Sequence, residues 1–130
     1  MKILLADDDR LQTHMIAGRL KANGHKAIVA HDAIQAWTAA IQNLPDAIVL
    51  DIQMPGGTGV AVLKQLKTST KTSQIPIIVL SGSMEPKIAA EMVKGLGADE
   101  FLTKPVDLKL LFSSLSRLLG IPLETPHEAA

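Results

Sequence analysis

The residues in this chain that could do chemistry sit just after short apolar runs. Asp7-Asp8-Asp9 follows Ile3 to Ala6, Asp51 follows Ala47 to Leu50, Ser81 follows Ile75 to Leu80, and Lys104-Pro105 follows Phe101 to Thr103. Carboxylates gathered at one place repel one another, and some stay protonated unless a cation neutralises them. The chain has no cysteine, so a thiolate metal site is excluded and any metal must use oxygen or imidazole ligands. A hard divalent ion fits best, and magnesium is usually held by one or two carboxylates together with phosphate oxygens and water. With that ion and Lys104, the acidic site comes close to neutral and can receive a dianionic phosphoryl group. Phosphoryl transfer needs little beyond positioning and charge stabilisation, and an ionised carboxylate is a competent nucleophile.

Each piece also has a plainer reading. Asp9 can serve only as a helix cap, Asp51 as a turn residue before Met54-Pro55-Gly56-Gly57, Ser81-Gly82 as a turn, and Lys104 as solvated surface. What favours the chemistry is that all of them recur at the ends of buried strands. The apolar runs Ile3 to Ala6, Ala27 to Ala30, Ala47 to Leu50, Ile75 to Leu80 and Phe101 to Thr103 are mostly aliphatic and apolar on both faces, as buried parallel strands are. Between them lie segments of helical period: Leu11, Met15, Gly18 and Leu20; Ile34, Trp37, Ile41 and Leu44, closed by Pro45; Val60, Leu63 and Leu66; Ile88, Met92 and Leu96; and, most clearly, Leu108, Leu111, Phe112, Leu115, Leu118 and Leu119. Asp107 is placed to cap the last helix, Pro86 to open the fourth, and Asn23-Gly24 and Gly97 to end the first and fourth.

The result is an α/β fold, (βα)5, with a doubly wound parallel sheet of flavodoxin-like strand order 2-1-3-4-5. In such sheets ligands bind beyond the carboxyl ends of the strands where the order reverses, between the first and third strands. Strand two ends in Ala30-His31, with nothing comparable to the acids, as expected of an edge strand. His14, His25, His31 and His127 show no metal spacing and read as solvated or packed.

A length of 130 residues with 47% hydrophobic content suits one domain, over residues 1–120, with residues 121–130 as a flexible tail or a cut linker. Thirteen basic and thirteen acidic residues leave no net charge, which argues against direct nucleic-acid binding. No apolar run is long enough to cross a bilayer, and Asp7 comes too early for a signal peptide, so a cytoplasmic place is expected.

Taken together, the acidic cluster in Ile3-Leu-Leu-Ala-Asp-Asp-Asp9, the stretch Pro45-Asp-Ala-Ile-Val-Leu-Asp51-Ile-Gln-Met-Pro55, the run Pro76-Ile-Ile-Val-Leu-Ser81 and Gly97-Ala-Asp-Glu-Phe-Leu-Thr-Lys104-Pro105 resemble, in order and spacing, the CheY-like receiver domains of response regulators. The resemblance covers roughly residues 2 to 119 and implies a two-component switch. It implies that Asp51 accepts the phosphoryl group, that Asp7, Asp8, Asp51 and the Gln53 carbonyl hold magnesium, that Lys104 and Ser81 contact phosphoryl oxygens, and that the Lys104-Pro105 peptide is cis. Ser81 and Phe101 would form the switch. Phe101 stands where many members carry tyrosine, which excludes switching through a phenolic hydrogen bond, and Gly56-Gly57 should loosen the loop beside the acceptor. Leu110, on the outer side of the last helix, and Leu102 are expected at a partner surface formed by helix four, strand five and helix five. Gln53 and Ser83 are expected to tune the lifetime of the phosphorylated state.

The implied partners are a histidine kinase or phosphotransfer protein and a downstream protein target or effector domain, with no nucleic acid and no membrane, and with the chain a monomer or weak homodimer. It is no enzyme beyond catalysing its own phosphorylation and dephosphorylation. Three rivals fit less well. A phosphatase of the haloacid-dehalogenase type needs a second acid where Gln53 stands, a flavin carrier needs a glycine- and hydroxyl-rich loop where Asp7-Asp8-Asp9 would repel phosphate, and a non-phosphorylated scaffold has no need for the full set of Asp51, Ser81 and Lys104.

Overall fold

A computed structural model describes residues 1–56, 58–82 and 85–123. Gly57, Ser83, Met84 and the tail from Glu124 to Ala130, including His127, lie outside the described residues. The elements are β1 (Lys2–Ala6), α1 (Arg10–Ala22), β2 (Lys26–Ala30), α2 (Ala33–Asn43), β3 (Ala47–Asp51), α3 (Gly59–Thr68), β4 (Ile77–Ser81), α4 (Pro86–Leu96), β5 (Glu100–Thr103) and α5 (Leu108–Leu119). The five strands form one parallel sheet in the order β2-β1-β3-β4-β5, as the alternation of runs predicts.

Side chains alternate along each strand, so every central strand feeds two cores. Leu4, Ala6, Ile48, Leu50, Ile77 and Val79 point to one layer, where α2 and α3 cover them, while Ile3, Leu5, Val49, Ile78, Leu80 and Leu102 meet α1 and α5 on the other. Each fully buried aliphatic side chain contributes about 1.5–3 kcal/mol relative to exposure. The caps fall where expected. Asp107 accepts from Lys109 N and Leu110 N, Gly97 ends α4 in the left-handed region, and Pro86 lies in the first turn of α4.

Two helices turn a different face inward from the one their large apolar residues suggest. On α1, Leu11 is 71% exposed and Met15 is also exposed, whereas Thr13, Ile16, Ala17 and Leu20 are buried. These four have the spacing of an i, i+3, i+4, i+7 stripe. Thr13 can join it because its hydroxyl donates to Arg10 O at 3.1 Å. On α2, Ile34 is 70% exposed and Leu44 is exposed at the left-handed cap, while Ala33, Ala36 and Ala40 are buried. Small side chains let this helix lie close to the sheet, with Trp37 half-buried at its flank. On α4, Ile88 is exposed rather than inward, Leu96 is half-buried against the core, and the side chain of Met92 lies outside the described residues.

The register places the strand ends. Ala6 pairs with Leu50, so Asp7 and Asp51 leave β1 and β3 at the same level, and Ser81 pairs with Thr103, so Lys104 emerges beside them. The start of α3 packs directly on the chain around Asp51. Gly59 N donates to Ile52 O at 2.8 Å, and a Cβ on Gly59 would lie 2.4 Å from Ile52 Cα and 2.5 Å from Asp51 O. Neither neighbour is a flexible side-chain end. Gly59→Ala is therefore expected to destabilise the fold by about 2–3 kcal/mol, measured as a lower midpoint of denaturant unfolding.

Candidate functional site

Asp7 and Asp51 are 2% and 1% exposed, while Asp8, next along the chain, is exposed. Asp7, Asp8 and Asp51 each offer an oxygen, all within 4.8 Å of one another. Lys104, partly buried, reaches both inner acids. Its Nζ lies 3.1 Å from each carboxylate oxygen of Asp7 and 3.0 Å from Asp51 Oδ2. The lysine is anchored through its main chain, which donates to Ser81 O at 2.9 Å, and the Lys104-Pro105 peptide is cis. The second oxygen of Asp51 accepts from Gln53 N at 2.9 Å, so the loop after β3 turns back onto the carboxylate. Ser81 is fully buried at the end of β4.

Three carboxylates and one ammonium leave two formal negative charges. The protonation of the site reflects that imbalance. Burial is the chief cause that raises the Asp7 carboxyl above its ordinary range, and the charge of Asp51 adds to it; the Asp9 N–H and Lys104 pull the other way and do not win. For Lys104, partial burial is the largest single influence and favours the neutral amine, but the hydrogen bonds to Asp51 and Asp7 and their charges together outweigh it and raise the lysine. Both ends of one ion pair thus move upward, because a single ammonium faces two buried acids.

The family model for the response regulator receiver domain matches residues 3–116. The chain belongs to the response regulator receiver domain family. Among relatives, the response regulator MprA of Mycobacterium avium (strain 104) is 36% identical over 121 residues, which cover 92% of this chain and 51% of that protein. The response regulator PleD of Caulobacter vibrioides is 33% identical over 124 residues, 94% of this chain and 27% of that one. The receiver domain of the Francisella response regulator 1452 superposes with a TM-score of 0.82 at 32% identity, covering 92% and 96% of the two chains. The chemotaxis response regulator CheY4 of Vibrio cholerae does so with 0.82 at 28%, covering 91% and 98%. The receiver domain spans about half the length of the mycobacterial relatives it matches. Its acidic pocket of Asp7, Asp8 and Asp51 is that of the family's phosphoacceptor site.

The structure brings together Asp7, Asp8, Asp51 and Lys104, with Ser81 and Gln53 on the adjoining strand end and loop. Phe101 is half-buried against the layer formed with α2 and α3. Leu102 departs from expectation. It is 6% exposed and packed in the core beneath α5, because side chains alternate on β5 and its side of the sheet is the covered one. It is therefore no part of a surface, whereas Leu110 is 50% exposed. Two residues escape a reading by strand ends. Gln12 Nε2 donates to Asp7 Oδ2 at 2.6 Å, and His31 Nδ1 lies 2.9 Å from Asp7 O. The sequence signals available were the Asp9-x-x-Gln12 and Asp32-x-x-Gln35 spacings of helix starts, which point to caps. Among the described residues no helix is long and apolar enough to cross a membrane.

A raised carboxyl lends the metal-free fold stability below the ordinary carboxylate range, and that contribution disappears as pH climbs through the raised value. At neutral pH the charge on Asp7 is thus a net burden, and Asp7→Asn is expected to raise the melting temperature of the metal-free protein, an advantage that vanishes in acid. The two leucines separate in the same assay. Leu110→Glu should leave stability within about 0.5 kcal/mol, whereas Leu102→Glu, which buries an unpaired charge, should cost about 3–5 kcal/mol.

Proposed function

We propose that Asp51 accepts a phosphoryl group from the phosphohistidine of a histidine kinase or phosphotransfer protein, in the cytoplasm, and that this receiver domain catalyses only its own phosphorylation and dephosphorylation. The observation that carries the reading is the Lys104 ammonium seated between the buried carboxylates of Asp7 and Asp51. It offers a positive charge 3.0 Å from the acceptor carboxylate, where a phosphoryl oxygen must come. A carboxylate oxygen of Asp51 attacks phosphorus, the phosphorus–nitrogen bond of the donor breaks, and its electron pair returns to the imidazole. An acyl phosphate on Asp51 results. Lys104 then exchanges an Asp51 oxygen for a phosphoryl oxygen, and the Ser81 hydroxyl donates to another.

The donor set fits magnesium: three carboxylates, two of them buried, place hard oxygens within 4.8 Å of one another. Asp7, Asp8, Asp51 and the Gln53 carbonyl are the residues to hold it. Bound there, the ion supplies the two positive charges that the carboxylates lack.

Inward movement of Ser81 and Phe101 then biases a two-state equilibrium read at the surface of α4, β5 and α5, where Leu110 is exposed and Leu102 is not. Hydrolysis resets the switch, with Gln53 and Ser83 tuning its lifetime. The output passes to a downstream protein or an effector domain without direct nucleic-acid contact, and the domain acts as a monomer or weak homodimer.

Incubation with magnesium and acetyl phosphate, followed by intact mass, tests the acceptor. A single phosphoryl adduct is expected in the wild type, absent without magnesium and absent in Asp51→Asn. No adduct in the wild type, or an adduct retained in Asp51→Asn, overturns the assignment.

A further inference from the structure

The first turn of α1 is spaced as a capping box, Asp9-Arg10-Leu11-Gln12. In that motif the cap side chain accepts from the third helical N–H, and the third side chain reaches back to the cap N–H. Only the first half forms: Gln12 N donates to Asp9 Oδ1 at 3.0 Å. The second half is diverted. The Asp9 N–H is already given to Asp7 Oδ1 at 2.9 Å, and the Gln12 carboxamide extends instead to Asp7 Oδ2 at 2.6 Å. A related displacement occurs at α2. Gln35 N donates to the Asp32 cap at 2.8 Å, but Gln35 Oε1 accepts from His31 N at 2.9 Å, one residue before the cap. His31 in turn sets its Nδ1 against the main-chain carbonyl of Asp7. Two helix starts therefore give up part of their local capping to hold Asp7.

A carboxylate has about four lone-pair directions. At Asp7 these meet the Asp9 main-chain N–H on Oδ1, the Gln12 carboxamide Nε2–H on Oδ2, and the Lys104 ammonium against both. In the phosphoacceptor reading Lys104 transfers part of its bonding to the phosphoryl group. The Asp9 and Gln12 donors then remain, one on each oxygen, and together they resist rotation of the carboxylate. The Asp9 donor belongs to the backbone and cannot be tuned by substitution. The Gln12 donor can.

We propose that Gln12 is a positioning residue for the divalent ion: its carboxamide fixes the Asp7 carboxylate in the orientation that lets Asp7, Asp8 and Asp51 offer their oxygens to one cation. This rests on the reading of those acids as the magnesium site. Hydrogen-bond partners of metal ligands commonly govern affinity by about 10- to 100-fold, and with one of two retained donors removed the low end applies.

Gln12→Met keeps the length and helix preference of the side chain and cannot donate. Magnesium binding is measured by calorimetry on the wild type and Gln12→Met, and acetyl-phosphate phosphorylation is followed against magnesium concentration. The dissociation constant and the half-saturating magnesium concentration should both rise about tenfold, with the rate at saturating magnesium nearly unchanged. Gln12→Leu carries the same expectation and replaces Gln12→Met if the latter does not fold. Equal magnesium affinity in variant and wild type overturns the proposal, as does tighter binding in the variant, which would make the carboxamide a competitor of the ion. A fall in the saturated rate with unchanged affinity overturns it too. A wild type that binds no magnesium removes the underlying reading of the acids and the proposal with it.

Discussion

One ammonium between two buried carboxylates is the constraint around which this domain is arranged. Lys104 lies on the chain after β5, two strands away from β3, so its side chain must cross the end of β4 to reach Asp51 and then Asp7. The crossing depends on β4 ending at Ser81, whose carbonyl holds the main chain of Lys104. It also depends on the register that brings Asp7 and Asp51 out of the sheet side by side. Without the lysine, two ionised acids would be buried within reach of each other, a state that proteins avoid by protonation or unfolding.

The pair is not balanced even with Lys104 present. Burial and the charge of Asp51 hold the Asp7 carboxyl above its ordinary range although a lysine touches it. A site optimised for stability alone would lack one of those acids. Such local cost is typical where a structure is organised for binding and chemistry rather than for the resting fold. The surroundings supply rigidity in return. Gly59 allows α3 to begin against the Asp51–Ile52 backbone, Asp7 N donates to Ala30 O, and the Pro55 carbonyl accepts from Ala33 N, tying the loop after Asp51 to the start of α2.

The layers beneath the site follow a simpler rule. Strands β1, β3 and β4 are buried on both faces and carry aliphatic side chains on both. The helices differ in how they meet the sheet. α5 packs through Leu111, Phe112 and Leu115, whereas α2 packs through three alanines and leaves Ile34 in solvent. α1 likewise leaves Leu11 and Met15 exposed, in a hollow they line with Asp9, Gln12, Pro105, Val106 and Leu108.

The strands, the polar residues at their ends and several helix caps were legible in the sequence because each is local, and the strand order followed from their alternation with helices. A buried parallel strand must be apolar on both faces, an N-cap is favoured by a side-chain acceptor, and the polar residues that end β3 and β4 and follow β1 and β5 stand out against the apolar runs. The inward faces of α1 and α2 were not legible, since alanine and threonine contribute little to an apolar pattern yet fit where a helix approaches closely; α5, with large side chains on one stripe, had no such ambiguity. The burial of Leu102 required knowing which side of β5 a helix covers. The roles of Gln12 and His31 required more. A glutamine three residues after a cap satisfies that cap by default, and only the arrival of Asp7 from β1, which takes the Asp9 N–H first, redirects it to the carboxylate. The sequence alone determined that Asp7, Asp8, Asp51 and Lys104 gather at the strand ends; tertiary structure decided which further groups join them and which hydrogen bonds form, because a donor's partner is settled by competition among groups that only folding brings within reach.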